Sequence, residues 1–189
     1  MGRSKPLLPL GNRPAIIHCL ENLRQAGIDD IVVVVGKEGD EIRGTIGSFP
    51  ATVVRNGIPG ADMSQSVRIG FAKIDPASTG ILVCLADQPL VTAKTFISLR
   101  HSHAERPDRI IVPLFNGRRG HPPLLPEKIA AEITTVPTLR DLIERHSGEV
   151  WYVEVHDEGV VLDMDTEEDY ERMAERYSAA AKKNVPEKQ

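Results

Sequence analysis

Aromatic side chains are scarce in this sequence, at 4% of 189 residues, so aliphatic residues must supply the core. Cysteine is scarcer: Cys19 and Cys84 each lie inside an apolar segment, and neither has a Cys or His at metal-ligand spacing. Such thiols suit reduced, buried residues of a cytoplasmic protein. That compartment argues against a disulfide between them, although the sequence alone does not forbid one. Long hydrophobic runs are missing. A stretch such as Ile31 to Val35 falls far short of the roughly 20 residues that cross a bilayer. The start, Met-Gly-Arg-Ser-Lys-Pro, has too short an apolar stretch for a signal peptide. Gly2 offers the glycine of a myristoylation motif, but Arg3 and Pro6 fit it poorly. Basic runs are missing too. The 23 Lys and Arg residues are scattered against 27 Asp and Glu, for a net charge of −4, which argues against a nucleic-acid partner.

What is present is the composition of one soluble globular domain, 41% hydrophobic and 26% charged. We expect that domain over residues 1–181, with 182–189 as a disordered tail. Helix and strand signals alternate. Pro14 to Ala26 is helical, Ile31 to Val35 is a β-branched strand, Glu38 to Ile46 is a short helix and Ala51 to Arg55 is a strand. Asn56 to Met63 is a loop, followed by a helix over Ser64 to Ile74 and a buried strand over Gly80 to Ala86. Thr92 caps the next helix, Arg109 to Pro113 is a strand, and Phe115 to Pro126 reads as a long polar loop. Thr138 with Asp141, and Thr166 with Asp169, are capping-box patterns that open the last helices. Val150 to Val155 and Gly159 to Leu162 are strands. The alternation predicts an α/β fold with a mostly parallel sheet and helices on both faces. Ligands of such sheets bind beyond the carboxyl ends of the strands.

Asp87 follows Ile-Leu-Val-Cys-Leu-Ala and so stands where a buried strand opens. It reads either as a turn or capping aspartate or as a hard-oxygen ligand for magnesium on a nucleotide phosphate. Asp163 and Asp165 share a face if their strand continues through them. They are either a solvated strand end beside a helix start or, with Asp87, a shared metal site. Arg118-Arg119-Gly120-His121-Pro122-Pro123 gathers two guanidiniums and an imidazole, as a basic turn or as a shaped phosphate-binding loop. Ser64 and Ser66 open a helix at another strand end, where free amides bind anions and where serine is also an ordinary cap. Lys5 alone is an unremarkable lysine. His18, His101, His103, His146 and His156 read as surface or helix-end residues without a role.

In order, the segments are Arg3-Ser4-Lys5-Pro6-Leu7-Leu8-Pro9-Leu10, Asn56 to Ser66, and Leu85-Ala86-Asp87-Gln88-Pro89. Arg119-Gly120-His121-Pro122 and Asp163-Met164-Asp165-Thr166-Glu167-Glu168-Asp169 complete the set. Together they resemble the molybdenum cofactor cytidylyltransferases, within the wider group of molybdopterin nucleotidyltransferases. The match runs from about Met1 to Met173. The resemblance implies a Rossmann-like fold of the nucleotide-diphospho-sugar transferase type and transfer of CMP from CTP to the phosphate of molybdenum-molybdopterin, releasing pyrophosphate. It implies Lys5 and Asp87 as catalytic residues, and Lys5, Asn56, Ser64, Ser66 and Asp87 around the nucleotide. Gln88, Arg119, Gly120 and His121 would meet the pterin substrate. Mg2+ would lie on Asp87, Asp163 and Asp165, and a molybdenum hydroxylase is the implied partner. The chain departs from that pattern in three places. The family's front motif runs from a strand and a Leu-Ala-Ala-Gly turn to Arg-Met-Gly, and Met1-Gly2 matches only its end, so the first strand and glycine-rich loop are expected to be lacking, with poor nucleotide binding and a gap in the sheet. Glu167 stands where proline is usual, and Val136-Pro137-Thr138 stands where a Gly-Asp pair is common. Two other readings remain open: a relative using GTP or another phosphorylated acceptor, and a non-catalytic molybdopterin-binding or chaperone module.

Overall fold

The computed structural model describes residues 4–36, 39–58, 60 and 62–183. A 3-10 turn at Lys5–Leu7 leads into a short ladder of β1 (Pro9–Leu10) and β2 (Arg13–Pro14), then α1 (Ala15–Gln25). β3 (Val32–Val35), α2 (Gly39–Ile46), β4 (Thr52–Arg55) and α3 (Met63–Phe71) follow. The chain continues through β5 (Gly80–Leu82), α4 (Ala93–Glu105), β6 (Ile110–Phe115), β7 (Arg118–Arg119), β8 (Leu124–Pro126) and α5 (Glu127–Ala130). α6 (Leu139–Arg145), β9 (Val150–Glu154) and α7 (Glu167–Lys183) complete it.

The alternation of helix and strand is as expected, but the sheet is mixed and divided. β3 pairs β4 in parallel as a sheet of its own. In the five-stranded sheet β6 pairs β9 in parallel, while β5–β8, β6–β8 and β6–β7 are antiparallel. The antiparallel pairs come from the segment expected to be a polar loop. Asn116 and Gly117 both adopt positive φ, 50° and 74°, and make the two-residue turn that returns the chain from β6 to β7. Leu124 to Pro126 then fills the space between β5 and β6. Gly159 to Leu162 is not a strand: Glu158–Val161 winds into a 3-10 turn, with the Gly159 amide donating to the Asp157 carboxylate. At the other end α7 continues through Lys183, past the expected domain end at 181. Residues 184–189 lie outside the described part of the chain, as do Met1, Gly2, Arg3 and Glu38.

Neighbouring residues of β6 face opposite layers, as pleating requires. Ile110 and Val112 join a cluster with Ile81, Leu125, Ile133 and Leu142, against which Val67 and Phe71 of α3 pack. Ile111 instead meets Leu99 of α4. On that second face α1, α2 and α4 contribute Ile16, Leu20, Ile42 and Phe96 to one cluster with Val35 and Val155. Helices therefore cover both faces. A cavity of about 670 Å³ lies between the two sheets, lined by Val32 and Val34, by Phe71 and Ile74, and by Leu82, Cys84 and His103. Cys84 opens onto this cavity rather than onto the outer surface, and burial pushes its thiol up to about 12. Cys19 is pushed to about 12 for the same reason, and both thiols are free. No described helix is long and apolar enough to cross a membrane.

The caps follow the side-chain chemistry. Thr138 and Asp141 form a reciprocal capping box at α6, and Thr166 with Asp169 repeats the arrangement before α7. Thr92 precedes α4 without capping it through its own hydroxyl. Its amide and hydroxyl both donate to Asp157, as does the hydroxyl of Thr95.

Candidate active site

After β5 the chain breaks from the ladder and turns at Asp87-Gln88-Pro89. Cys19 of α1 supports this turn from below through its contact with the Ala86 carbonyl. The turn faces two other segments, the 3-10 turn at Lys5 and the stretch after Val161. The Lys5 ammonium lies 2.6 Å from Oδ1 of Asp165 and 3.9 Å from Oδ2 of Asp87. Two carboxylates from distant segments thus meet on one cation, which lies 160 positions from Asp165 in the sequence. The hydrogen bond to Asp165 holds the Lys5 pKa above its ordinary value. Burial raises the Asp87 carboxyl above its ordinary value, while a backbone hydrogen bond and Lys5 act against that rise.

Gln88, 5% exposed, donates from Nε2 to Oδ1 of Asp163 at 2.5 Å. One N–H of the amide expected to meet substrate thus orients a carboxylate. His121 enters from the far side. Its amide donates to the Val160 carbonyl, and a Cβ at Gly120 would stand 2.5 Å from that same oxygen, so only glycine allows the approach. The imidazole lies in the field of Asp163 and Asp87, yet burial dominates and lowers its pKa. Its buried Nδ1 has no partner among the described residues.

Arg119 does not join this group. Its guanidinium lies over the Tyr152 ring, 5.0 Å from the centroid, on the opposite face of β7 from Arg118. Arg118 is the one that lines a pocket with Asp163 and Asp165. The alternation along the two-residue strand β7 separates the arginines.

Asn56, Ser64 and Ser66 form a second group, at the end of β4. Asn56 is buried; it donates from Nδ2 to the Ser66 hydroxyl at 3.1 Å and accepts from the Ile58 amide. Ser64 is buried inside the first turn of α3, whose cap is Asp62, accepting from the Gln65 amide. Among the described residues no hydrogen bond or ion pair links this group to the Lys5 cluster.

The same test applies to a metal. Among the described residues no three His, Cys, Asp or Glu side chains converge as a ready-made cage. Asp87 and Asp165 converge on Lys5 instead, and Asp163 turns to Gln88. Carboxylates in ones and twos, without His or Cys, still fit a hard cation that arrives with phosphates and keeps waters.

Residues 1–150 match the family described as the MobA-like NTP transferase domain. The chain is 25% identical to the molybdenum cofactor cytidylyltransferase of Escherichia coli K12, over 94% of this chain and 91% of that one. It is 28% identical to the bifunctional protein GlmU of Staphylococcus epidermidis over 57% of its length, and spans only 24% of that longer protein. Among solved structures, the Rv0371c homologue from Mycobacterium sp. strain JC1 superposes with a TM-score of 0.81 at 27% identity, covering 95% of this chain and 91% of that one. Rv0371c of Mycobacterium tuberculosis H37Rv, solved as a complex with manganese, gives 0.76 at 26% identity, covering 92% and 93%. The fold is the Rossmann-like α/β fold of nucleotidyltransferases, and the chain belongs to the MobA-like NTP transferase domain family.

Proposed function

We propose that this chain transfers CMP from CTP to the phosphate of molybdenum-molybdopterin, releasing pyrophosphate. The observation that carries the reading is the convergence of Asp87 and Asp165 on Lys5 at a strand end. The match along nearly the whole length of a molybdenum cofactor cytidylyltransferase supports the choice of base and acceptor. An oxygen of the acceptor phosphate forms a bond to the α-phosphorus of CTP. The bond from that phosphorus to the bridging oxygen breaks, and its electron pair leaves with pyrophosphate. The attacking oxygen is already anionic, so no general base is required. Catalysis then rests on positioning and charge neutralisation. Asp87, with Asp165 or Asp163, would hold Mg2+, which would supply charge neutralisation for the nucleotide phosphates. Lys5 exchanges its carboxylate partner for phosphate oxygens. Asn56, Ser64 and Ser66 face the nucleotide, and His121 faces the pterin. The product would serve a molybdenum hydroxylase, in the cytoplasm.

A second reading keeps the chemistry but changes the substrates to GTP or another phosphorylated acceptor; the family match, to an NTP transferase domain, is equally compatible with it. Thermal shift with Mg2+ and CTP, GTP or no nucleotide separates these. The proposal predicts a higher Tm with CTP than with GTP. Preference for GTP contradicts the base, and no response to either nucleotide favours a non-catalytic pterin-binding module.

A further inference from the structure

A second pocket, of about 260 Å³, adjoins the Lys5 cluster behind Asp163 and Asp165. Its walls are Arg118 of β7, Val161 and Leu162 of the following segment, and Asp169, Arg172, Met173 and Arg176 of α7. Arg172 and Arg176 stand one helical turn apart and so share a face. The hairpin register fixes the direction of Arg118. Paired with Phe115, it faces α7, whereas Arg119 turns to Tyr152.

Charge bookkeeping around the pocket is uneven. Arg172 is paired with Asp169, Arg176 with Glu158, and Lys5 with Asp165. Arg118 has no carboxylate within ion-pair distance among the described residues. Asp163, bonded to neutral Gln88, is the unpaired carboxylate of the same pocket; once a divalent cation answers it, the Arg118 guanidinium is left to an incoming anion, and its planar fork suits two oxygens of a phosphate. The site lies where an acceptor must wait. Nucleotidyl transfer brings a second phosphate against a triphosphate, and Lys5 with a divalent cation is already committed to the nucleotide. A further cation is needed on the acceptor side, and the pocket that shares Asp163 and Asp165 supplies it.

We propose that Arg118, backed by Arg172, binds the phosphomonoester of the acceptor substrate and orients it toward the Asp87–Asp165 cluster. This rests on the nucleotidyl-transfer reading given above. It makes Arg118, rather than its neighbour Arg119, the arginine that selects for a phosphorylated acceptor.

Phenyl phosphate serves as the probe. Titration calorimetry of the full chain should show millimolar or tighter binding that weakens at least tenfold in Arg118→Met and is partly restored in Arg118→Lys. Arg119→Met should change it less than twofold. Magnesium-CTP affinity should stay within twofold of wild type in Arg118→Met, with an unchanged circular dichroism spectrum. Equal phenyl phosphate affinity in Arg118→Met and wild type overturns the proposal, as does wild-type chain that binds no phenyl phosphate. If phenyl phosphate binding depends on Arg118 but CTP does not bind at all, the nucleotidyl-transfer reading fails and the anion subsite stands.

Discussion

Lys5 bonds to Asp165 at 2.6 Å across 160 residues of sequence, and the same ammonium reaches Asp87 at 3.9 Å. About a third of the Lys5 side chain is exposed, so solvent screens the pair and its contribution to stability is small, below about 1 kcal/mol. Its value lies in placement. Lys5→Met should lower Tm by no more than about 3 °C yet weaken magnesium-CTP binding at least tenfold by calorimetry. A large loss of Tm with unchanged CTP affinity would make the cluster a structural staple.

Asp87→Asn keeps the shape of the turn and removes the charge that a divalent cation needs. Nucleotide affinity in this variant should become nearly independent of added magnesium, where wild type gains severalfold or more. Titrations at two metal concentrations decide this. A metal response equal to wild type would move the ligand role away from Asp87.

Asp157 gathers the amide and hydroxyl of Thr92, the hydroxyl of Thr95 and the amide of Gly159. It caps α4 from a distant segment and ties that helix to the turn beneath His121. Asp157→Ala leaves these donors without a partner and should cost about 1–3 kcal/mol, read as a Tm lower by several degrees. Asp157→Asn, which keeps an acceptor oxygen, should recover part of the loss.

His103 is buried against Gly80, and among the described residues neither ring nitrogen has a hydrogen-bond partner. Burial lowers its pKa below 6.5, although the Thr79 backbone and Asp108 act in the other direction. The unfolded chain binds this proton more readily, so the His103 contribution to stability is present above pH 6.5 and lost as pH falls through the lowered value. Melting curves from pH 8 to pH 5 should drop more steeply in wild type than in His103→Leu over that window.

Both cysteines carry thiols pushed to about 12 by burial. At pH 8 their thiolate fraction is far below that of an ordinary cysteine, so alkylation should be roughly a hundredfold or more slower than in the unfolded chain. Timed labelling with and without denaturant measures the ratio.

Periodic signals made much of this legible. Ile16, Leu20 and Leu23 marked α1, the unbroken Val32–Val35 marked a covered strand, and the Thr138–Asp141 pair fixed the start of α6. Two of the misreadings concern turns. Asn116-Gly117 is a strong hairpin signal, but the flanking strand β7 is only two residues long and its arginines look like loop. The run Gly159-Val160-Val161-Leu162 has strand composition, yet Asp157 accepts from the Gly159 amide and winds it into a 3-10 turn. Local propensity does not reveal a side chain that arrives from two residues upstream. The burial of His103 was equally hidden, since it depends on Gly80 lying opposite. Lys5 carried no local signal, and its contact with Asp165 is a property of the fold; the order of the motifs implied only that both residues belong to one site.

The most direct test of the central claim follows the label from α-³²P-CTP, with magnesium and molybdenum-molybdopterin, in wild type and Asp87→Asn. The account predicts label transferred to the pterin, one pyrophosphate released for each transfer, and at least a hundredfold loss of rate in the variant. Transfer at wild-type rate by Asp87→Asn, or label that stays on CTP in wild type, would contradict it.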